Sequence, residues 1–344
     1  MISSVRIVNF SILIVMCVFG RAFAQETTHS DSWNLHFQQT VVGQYHFDFH
    51  SPYSGINSLQ AHEGDAYSVT STLFLGAKLW QGGEIYFDPE LAGGSGLSGA
   101  VGVAGALNGE TYRIGTPAPS LAIARLYLQE NIALSDSLVQ MQDVQNQIGE
   151  FQPARRITIT AGKYAVSDQF DANSFSHDPR SQFLNWSLMS AGAWDYPADT
   201  KGYTIGITVE YITPEYSLRA ASDAVVTEAN LMEFDTHLSG AHSETVEFEL
   251  PHHMIGESGI LRLLAFHTMA HMGNYLQAIN KAYSSNTIPD ITTTRAYGRS
   301  KYGFELNLEE QLSNRLGTFA RASWNDGKNE TWMFTEIDHS VCAG

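Results

Sequence analysis

Apolar and polar residues alternate along much of the chain, which points successive side chains to opposite faces of a β-strand. In "YTIGITVEY", Tyr203, Ile205, Ile207, Val209 and Tyr211 share one face, and Thr204, Gly206, Thr208 and Glu210 share the other. "YGFELNLE" sets Tyr302, Phe304, Leu306 and Leu308 against Gly303, Glu305, Asn307 and Glu309. "TVEFEL" sets Val246, Phe248 and Leu250 against Thr245, Glu247 and Glu249. "LFLGAKLW" sets Leu73, Leu75, Ala77 and Leu79 against Phe74, Gly76, Lys78 and Trp80, and "IARLYLQ" sets Ala124, Leu126 and Leu128 against Ile123, Arg125, Tyr127 and Gln129. About a dozen such strands lie between Trp33 and Ser340.

The apolar face is continuous, while the polar face carries charge at mid-strand. A soluble sandwich and a membrane barrel both meet that description. Aromatic residues at strand ends (Trp33, Tyr45, Trp80, Tyr164, Tyr302 and Trp324, with Tyr203 and Tyr211 bracketing one outward run) suit the girdles of an outer-membrane barrel. So do the connections. "ITPE" (212–215) is a tight turn whose Pro214 cannot donate to a ladder, whereas the Gly-rich stretch 92–120 is long. That stretch lacks the Gly-Lys-Ser/Thr ending of a phosphate loop.

The first 24 residues read as a cleaved secretory signal: Arg6, an apolar run from Ile7 to Phe19, then Ala22-Phe23-Ala24. The apolar run is short for a spanning helix, which needs roughly 20 residues. The mature domain is then 25–344. The formal charge of −17 excludes nucleic acid as a natural partner. Cys342 is the one cysteine left after cleavage, so no internal disulfide forms. With no spanning helix elsewhere, any passage through a membrane is made by a closed barrel.

The segment "HDPRSQFLNWSLMSAGAWDYPADTKGY" (177–203) combines aromatic faces with carboxylates, the materials of a sugar site. A glycosidase needs two carboxylates roughly 5–9 Å apart, and Asp178, Asp195 and Asp199 are available. There is no Gly-x-Ser-x-Gly elbow and no His-Glu-x-x-His. His267 and His271 would lie about 13 Å apart on a strand, too far to share a metal. No metal or cofactor is expected. The segment belongs to a connection of more than thirty residues, from a strand ending at Lys163 to one beginning at Tyr203, in which "RSQFLNWSLM" is expected to form about two helical turns started by Asp178-Pro179. Phe183, Trp186 and Leu188 would pack it down.

Gly162-Lys163, Gln169-Phe170-Asp171-Ala172-Asn173, His177-Asp178-Pro179-Arg180, Phe183-Leu184-Asn185-Trp186 and Gly192-Ala193-Trp194-Asp195-Tyr196-Pro197-Ala198-Asp199 follow one another in order, and the stretches 80–113 and 124–130 stand upstream. Together they resemble the signature regions of the carbohydrate-selective porins, the OprB family. The resemblance implies an all-β fold, an antiparallel transmembrane barrel of sixteen strands in the outer membrane, in contact with its lipid. It also implies passive diffusion of small, glucose-like sugars with no bond made or broken, and a lumen narrowed by charged, polar and aromatic side chains. Porins of this family can act as monomers. Candidates for the sugar path are Lys78, Trp80, Glu84, Arg125 and Tyr127, which alternation turns from the apolar face, with Arg113, Arg180, Trp186, Trp194 and Asp195 from loops. Arg180 would pair with Asp178 or Asp195. The ending "TEIDHSVCAG" lacks the terminal aromatic residue usual in such barrels, and the strand count falls short of sixteen, so the last strands are expected to be missing. The alternative reading is a periplasmic or membrane-attached β-protein that binds or hydrolyses polysaccharide. Asp195→Asn would abolish that hydrolysis.

Overall fold

The structure, a computed structural model, describes residues 32–344 apart from 56, 112–117 and 334–335. The expected signal segment 1–24 and Arg113 lie outside the described residues. Twelve strands form one sheet, every neighbouring pair antiparallel: β1 (Trp33–Gln44), β2 (Ala66–Trp80), β3 (Gly83–Gly94), β4 (Ser120–Ala133), β7 (Arg156–Tyr164), β8 (Thr204–Ile212), β9 (Ser217–Ala224), β10 (His242–His252), β11 (Ser258–Ala270), β12 (Arg299–Ser313), β13 (Leu316–Asn325) and β14 (His339–Ala343). Between β4 and β7 a small hairpin stands apart, β5 (Leu138–Met141) with β6 (Glu150–Pro153). β1 and β14 are the sheet's edges, and no ladder joins them among the described residues.

With one exception the connections sort by length. At one end lie 81–82, 213–216, 253–257 and 314–315, together with the longer 134–155 that carries the β5–β6 hairpin, and at the other 45–65, 95–119, 165–203, 225–241, 271–298 and 326–338. Gly82 takes φ +87° in the β2–β3 turn, a conformation that Gly adopts without strain. One helix, α2 (Tyr275–Ser285), sits in the long connection before β12. No described helix is long and apolar enough to cross a membrane, which says nothing of a barrel.

The alternation is realised as expected on β8, β10 and β12. Ile205, Ile207 and Val209, then Val246 and Leu250, then Tyr302, Phe304 and Leu306 are exposed on the outer face, while Thr204, Thr208, Thr245, Glu247, Glu305, Asn307 and Glu309 are buried on the inner one. An exposed aliphatic belt over buried carboxylates inverts a soluble core, and suits a wall with hydrocarbon outside and a wet interior.

Four expected orientations are corrected, those of Ile123, Ala124, Tyr203 and Tyr164. Asp88 pairs with Arg125 but Pro89 with Ile123, so Ala124 is the extra residue of a bulge. Parity therefore changes there: Ile123 faces out and Ala124 is buried beside Arg125. Tyr203 does not join the outer face. It closes a turn in which the Asp199 amide donates to its carbonyl at 2.7 Å, and its ring, 6% exposed, faces inward. Tyr164 is also inward, donating its hydroxyl to Asp223 at 2.7 Å. Gly206 makes room there, because a Cβ would stand 2.0 Å from the Asp223 Oδ1.

Segment 165–203 fills much of the interior. Phe170, Trp194 and Tyr196 pack with Tyr86, Tyr127, Tyr164, Leu264 and Phe266 from the wall. Its helix is shorter than expected, one turn in α1 (Trp186–Met189), capped by Asn185 accepting from the Ser187 amide at 2.8 Å. Asp178 instead closes a separate turn, accepting from the Arg180 amide at 2.9 Å. Polar tethers fix the segment to β10, β12 and β13. Arg321, fully buried, donates to Asp171 Oδ1 at 2.7 Å, to the Ser176 carbonyl at 2.5 Å and to the Leu188 carbonyl at 2.9 Å. Glu247 accepts from the Asp171 amide at 2.7 Å, and Glu309 from the Ser174 amide at 2.7 Å. On the other side Arg180 reaches Gln38 of β1, Thr72 of β2 and Glu90 of β3. One segment thus touches both flanks of the sheet, which wraps around it.

Removing one partner of a buried ion pair leaves the other charge uncompensated, at a cost of about 3–5 kcal/mol. Arg321→Ala should therefore lower the thermal unfolding midpoint of the purified protein and release segment 165–203 from β13. Limited proteolysis should then cut that segment while leaving the strands intact. An unchanged digestion pattern would show that Arg321 does not hold it.

Candidate functional site

Two insertions enter the interior from opposite ends. Segment 165–203 comes from the long-loop end. The hairpin β5–β6 comes from the short-turn end and is held by Asn34, whose Nδ2 donates to the carbonyls of Val144 at 3.0 Å and Gln147 at 2.8 Å. Asn146 donates to Asp88 at 3.0 Å, and the Tyr86 hydroxyl accepts from the Ile148 amide at 3.3 Å. Between the insertions and the wall of β1–β4 and β7–β9 lies a cavity of about 650 Å³.

Toward the long-loop end the cavity is lined by Arg180. Its Nε donates to Glu110 at 2.8 Å, Nη2 to Glu90 at 3.2 Å, and Nη1 to Gln38 at 3.2 Å and Thr72 at 3.3 Å. The Tyr203 hydroxyl donates to the second Glu90 oxygen at 2.9 Å. The Arg125 guanidinium lies 5.4 Å from the Tyr203 ring centre and holds Asp168 with two bonds of 2.6 Å, with Asp88 at 3.4 Å. Tyr127, stacked on Tyr86 at 5.1 Å between ring centres, and Trp186, 6.1 Å from the Tyr196 ring, add aromatic surface. Toward the short-turn end an alternating ladder runs across β8 to β12: Glu210 to Arg219 at 3.0 Å, Arg219 to Glu247 at 2.6 Å and Glu249 at 3.3 Å, then Arg262 to Glu249 at 2.8 Å and Glu309 at 3.0 Å.

Burial pushes the Glu110 carboxyl above its ordinary range, with Arg180 opposing the shift. Desolvation alone would lower the Arg180 guanidinium, but Glu110 and Glu90 outweigh it and the value rises. Desolvation lowers His177, also on the cavity, so its imidazole is neutral at pH 7.

Of the expected path residues, Arg125, Tyr127, Arg180 and Trp186 come together on this cavity. Arg180 pairs with Glu90 and Glu110 rather than with Asp178 or Asp195, because the turn at Asp178 aims its side chain at β2 and β3. Lys78 is turned to the hairpin, paired with Glu150. Glu84 is buried and accepts from Tyr86 at 2.6 Å. Trp80 sits at the β2–β3 turn, 55% exposed, donating to Glu130 at 2.6 Å. Trp194 is 1% exposed within the packed interior. Asp195 binds the amides of Trp332 at 2.9 Å and Met333 at 2.8 Å and pairs with Lys301 at 3.1 Å. Glu90 and Asp88 were missed, although alternation along "GEIYFDPELAG" puts Glu84, Tyr86, Asp88 and Glu90 on one face. Glu110, Asp168 and the inward Tyr203 lie in loops, where no period marks them. No cluster suited to a metal ion occurs among the described residues.

The sequence model of the carbohydrate-selective porins, OprB family, matches residues 68–344. No protein of the curated set matches the chain. Among solved structures the chain is similar to OprB of Pseudomonas putida in its high-pH form, with a TM-score of 0.61 and 14% identity over 91% of this chain and 70% of that one. At that identity the likeness concerns the fold. OmpF of Salmonella typhi, solved in complex with daunomycin, aligns at a TM-score of 0.37 and 10% identity over 87% of this chain and 82% of that one, and carries no argument.

A raised pKa means that Glu110 takes up its proton at a higher pH than a free carboxyl does. On acidification it is neutralised before an ordinary carboxyl is, and Arg180 loses one of its two carboxylates. The cavity gains positive charge, so the current reversal potential in a salt gradient should move toward anion preference. Glu110→Gln should show that preference already at neutral pH and respond less to acid. A wild-type potential that does not move on acidification would refute the assignment.

Proposed function

The chain belongs to the carbohydrate-selective porin family, OprB, and from that premise we propose that the cavity beside Arg180, Tyr203 and Arg125 is the narrowest part of its sugar path. It is an outer-membrane porin through which small carbohydrates diffuse. The observation that carries the proposed path is the lining itself: paired guanidinium–carboxylate groups alternate with aromatic rings on an inward cavity. Sugar hydroxyls exchange hydrogen bonds with the charged groups, and aromatic faces meet the apolar faces of a pyranose ring. Each arginine of the narrow part already has its carboxylates, so a sugar competes with existing bonds and is held weakly. Passage requires that, since a tightly held substrate blocks the channel.

We read the protein as a channel without catalysis, working as a monomer with its aliphatic belt in lipid. The three carboxylates that could have formed a hydrolytic pair are engaged elsewhere. Asp178 closes a turn, Asp195 binds two amides and Lys301, and Asp199 accepts from Lys163 at 3.2 Å and from the amides of Lys201 and Tyr203.

Liposome swelling with the purified full-length protein tests the path. Glucose should enter, and disaccharides more slowly. Arg125→Ala frees Asp168 and opens space beside Tyr203, so it should raise single-channel conductance and speed disaccharide entry several-fold. Unchanged conductance in this variant would place the narrow part elsewhere.

A further inference from the structure

Three of the four arginines lining the cavity are ion-paired: Arg125 with Asp168 and Asp88, Arg180 with Glu110 and Glu90, and Arg219 with Glu210, Glu247 and Glu249. Arg156 is different. It opens β7 at the short-turn end, lines the cavity and is 8% exposed, yet among the described residues no carboxylate lies within ion-pair distance of it. Nη1 donates to the Pro153 carbonyl at 3.1 Å, while Nε has no hydrogen-bond partner. Two carboxylates stand near Arg156 beyond bonding range: Glu210 on the neighbouring strand, held by Arg219 at 3.0 Å, and Glu150 of the hairpin, held by Lys78. A second donor stands beside it. Asn131 of β4 is 8% exposed on the same cavity, and its Oδ1 accepts from Thr158 at 2.7 Å while its Nδ2 has no partner. Asn131 is opposite Thr158 in the ladder, two residues from Arg156 on the same face, which makes Asn131 and Arg156 diagonal neighbours.

The guanidinium is thus buried with no carboxylate bonded to it, within the field of Glu210 and Glu150. Supporting one carbonyl, that of Pro153, does not require it, since a neutral amide donates equally well. The geometry points to a subsite for a single negative charge carried through the channel: we propose that Arg156 and Asn131 bind the carboxylate of an oxidised sugar, a sugar acid, at the short-turn mouth of the path. The edge of a guanidinium bearing Nε matches a carboxylate with two parallel bonds. With the Glu210 and Glu150 carboxylates close by, a monoanion is repelled less than a sugar phosphate, which carries nearly two charges. The subsite rests on the channel reading and narrows it to neutral sugars plus their singly charged acids. In outer-membrane barrels short turns face the periplasm, so the acid group would be met at the exit, after the paired arginines have been passed.

The test is block of ion current through single channels of the full-length protein in planar bilayers, with D-glucose, D-gluconate and glucose 6-phosphate as probes. Gluconate should block at lower concentration than glucose. Arg156→Gln should weaken gluconate block roughly ten- to a hundred-fold, the range for a lost charge-assisted hydrogen bond, and change glucose block far less. Arg156→Lys should restore part of the effect. Equal gluconate sensitivity in Arg156→Gln and wild type overturns the subsite, and tighter block by glucose 6-phosphate than by gluconate overturns the choice of a carboxylate. If Arg156→Gln forms no channels, the wild-type comparison decides: gluconate no better than glucose overturns the proposal. Absence of any sugar effect, with no swelling by glucose, would instead sink the sugar path on which the subsite rests.

Discussion

A strand lying against hydrocarbon must give every backbone N–H and C=O to a neighbouring strand, and it can lend only alternate side chains to anything else. The arrangement of this protein follows from that restriction. The outer positions of β8, β10 and β12 are aliphatic or aromatic because nothing polar is tolerated there. The charge of the wall is therefore concentrated on the inner positions, where Glu247, Arg262 and Glu309 stand on three successive strands. Carboxylates and guanidinium groups forced to such close quarters are stable only as pairs, and the ladder from Glu210 to Glu309 is the result.

A wall that offers one side chain in two cannot by itself shape a narrow passage. The width comes from the two insertions, and the wall's inner charges hold them. Glu247 pairs with Arg219 and also accepts from the Asp171 amide; Glu309 pairs with Arg262 and also accepts from Ser174. Asp88 touches both Arg125 of the wall and Asn146 of the hairpin. The residues that balance the wall's electrostatics are thus the ones that position the loops, so constriction and stability cannot be varied independently here.

The restriction also explains what could be read from the sequence. Strict alternation assigned the faces of β8, β10 and β12, and the division into short and long connections predicted their two ends. It failed at β4, where the bulge at Ala124 shifts parity by one residue and no residue type announces it. Arg125 and Tyr127 survived that shift only because they lie beyond the extra residue. Asp88 and Glu90 were legible in the alternation of β3, whereas the pairing of Arg180 with Glu110 was not, since it depends on how two long loops meet in space. Trp194 and Asp195 have the chemistry of a sugar contact, but composition does not separate a ring facing a cavity from one packed against Phe170, or a free carboxylate from one bound to two amides.

Pairing the arginines sets how the channel treats its cargo. An isolated guanidinium in a partly dry lumen would retain the first anion to arrive, whereas a guanidinium already bonded to two carboxylates offers geometry with little net field. Arg180 and Arg125 are of the second kind, and neutral hydroxyls meet them on nearly equal terms with water. The interior then recognises shape and hydrogen bonding before it recognises charge, although the chain as a whole carries a formal −17. A guanidinium with no carboxylate bonded to it appears only at Arg156 among the cavity's arginines, toward the short-turn end, where holding an anion would not obstruct the entry of a neutral sugar.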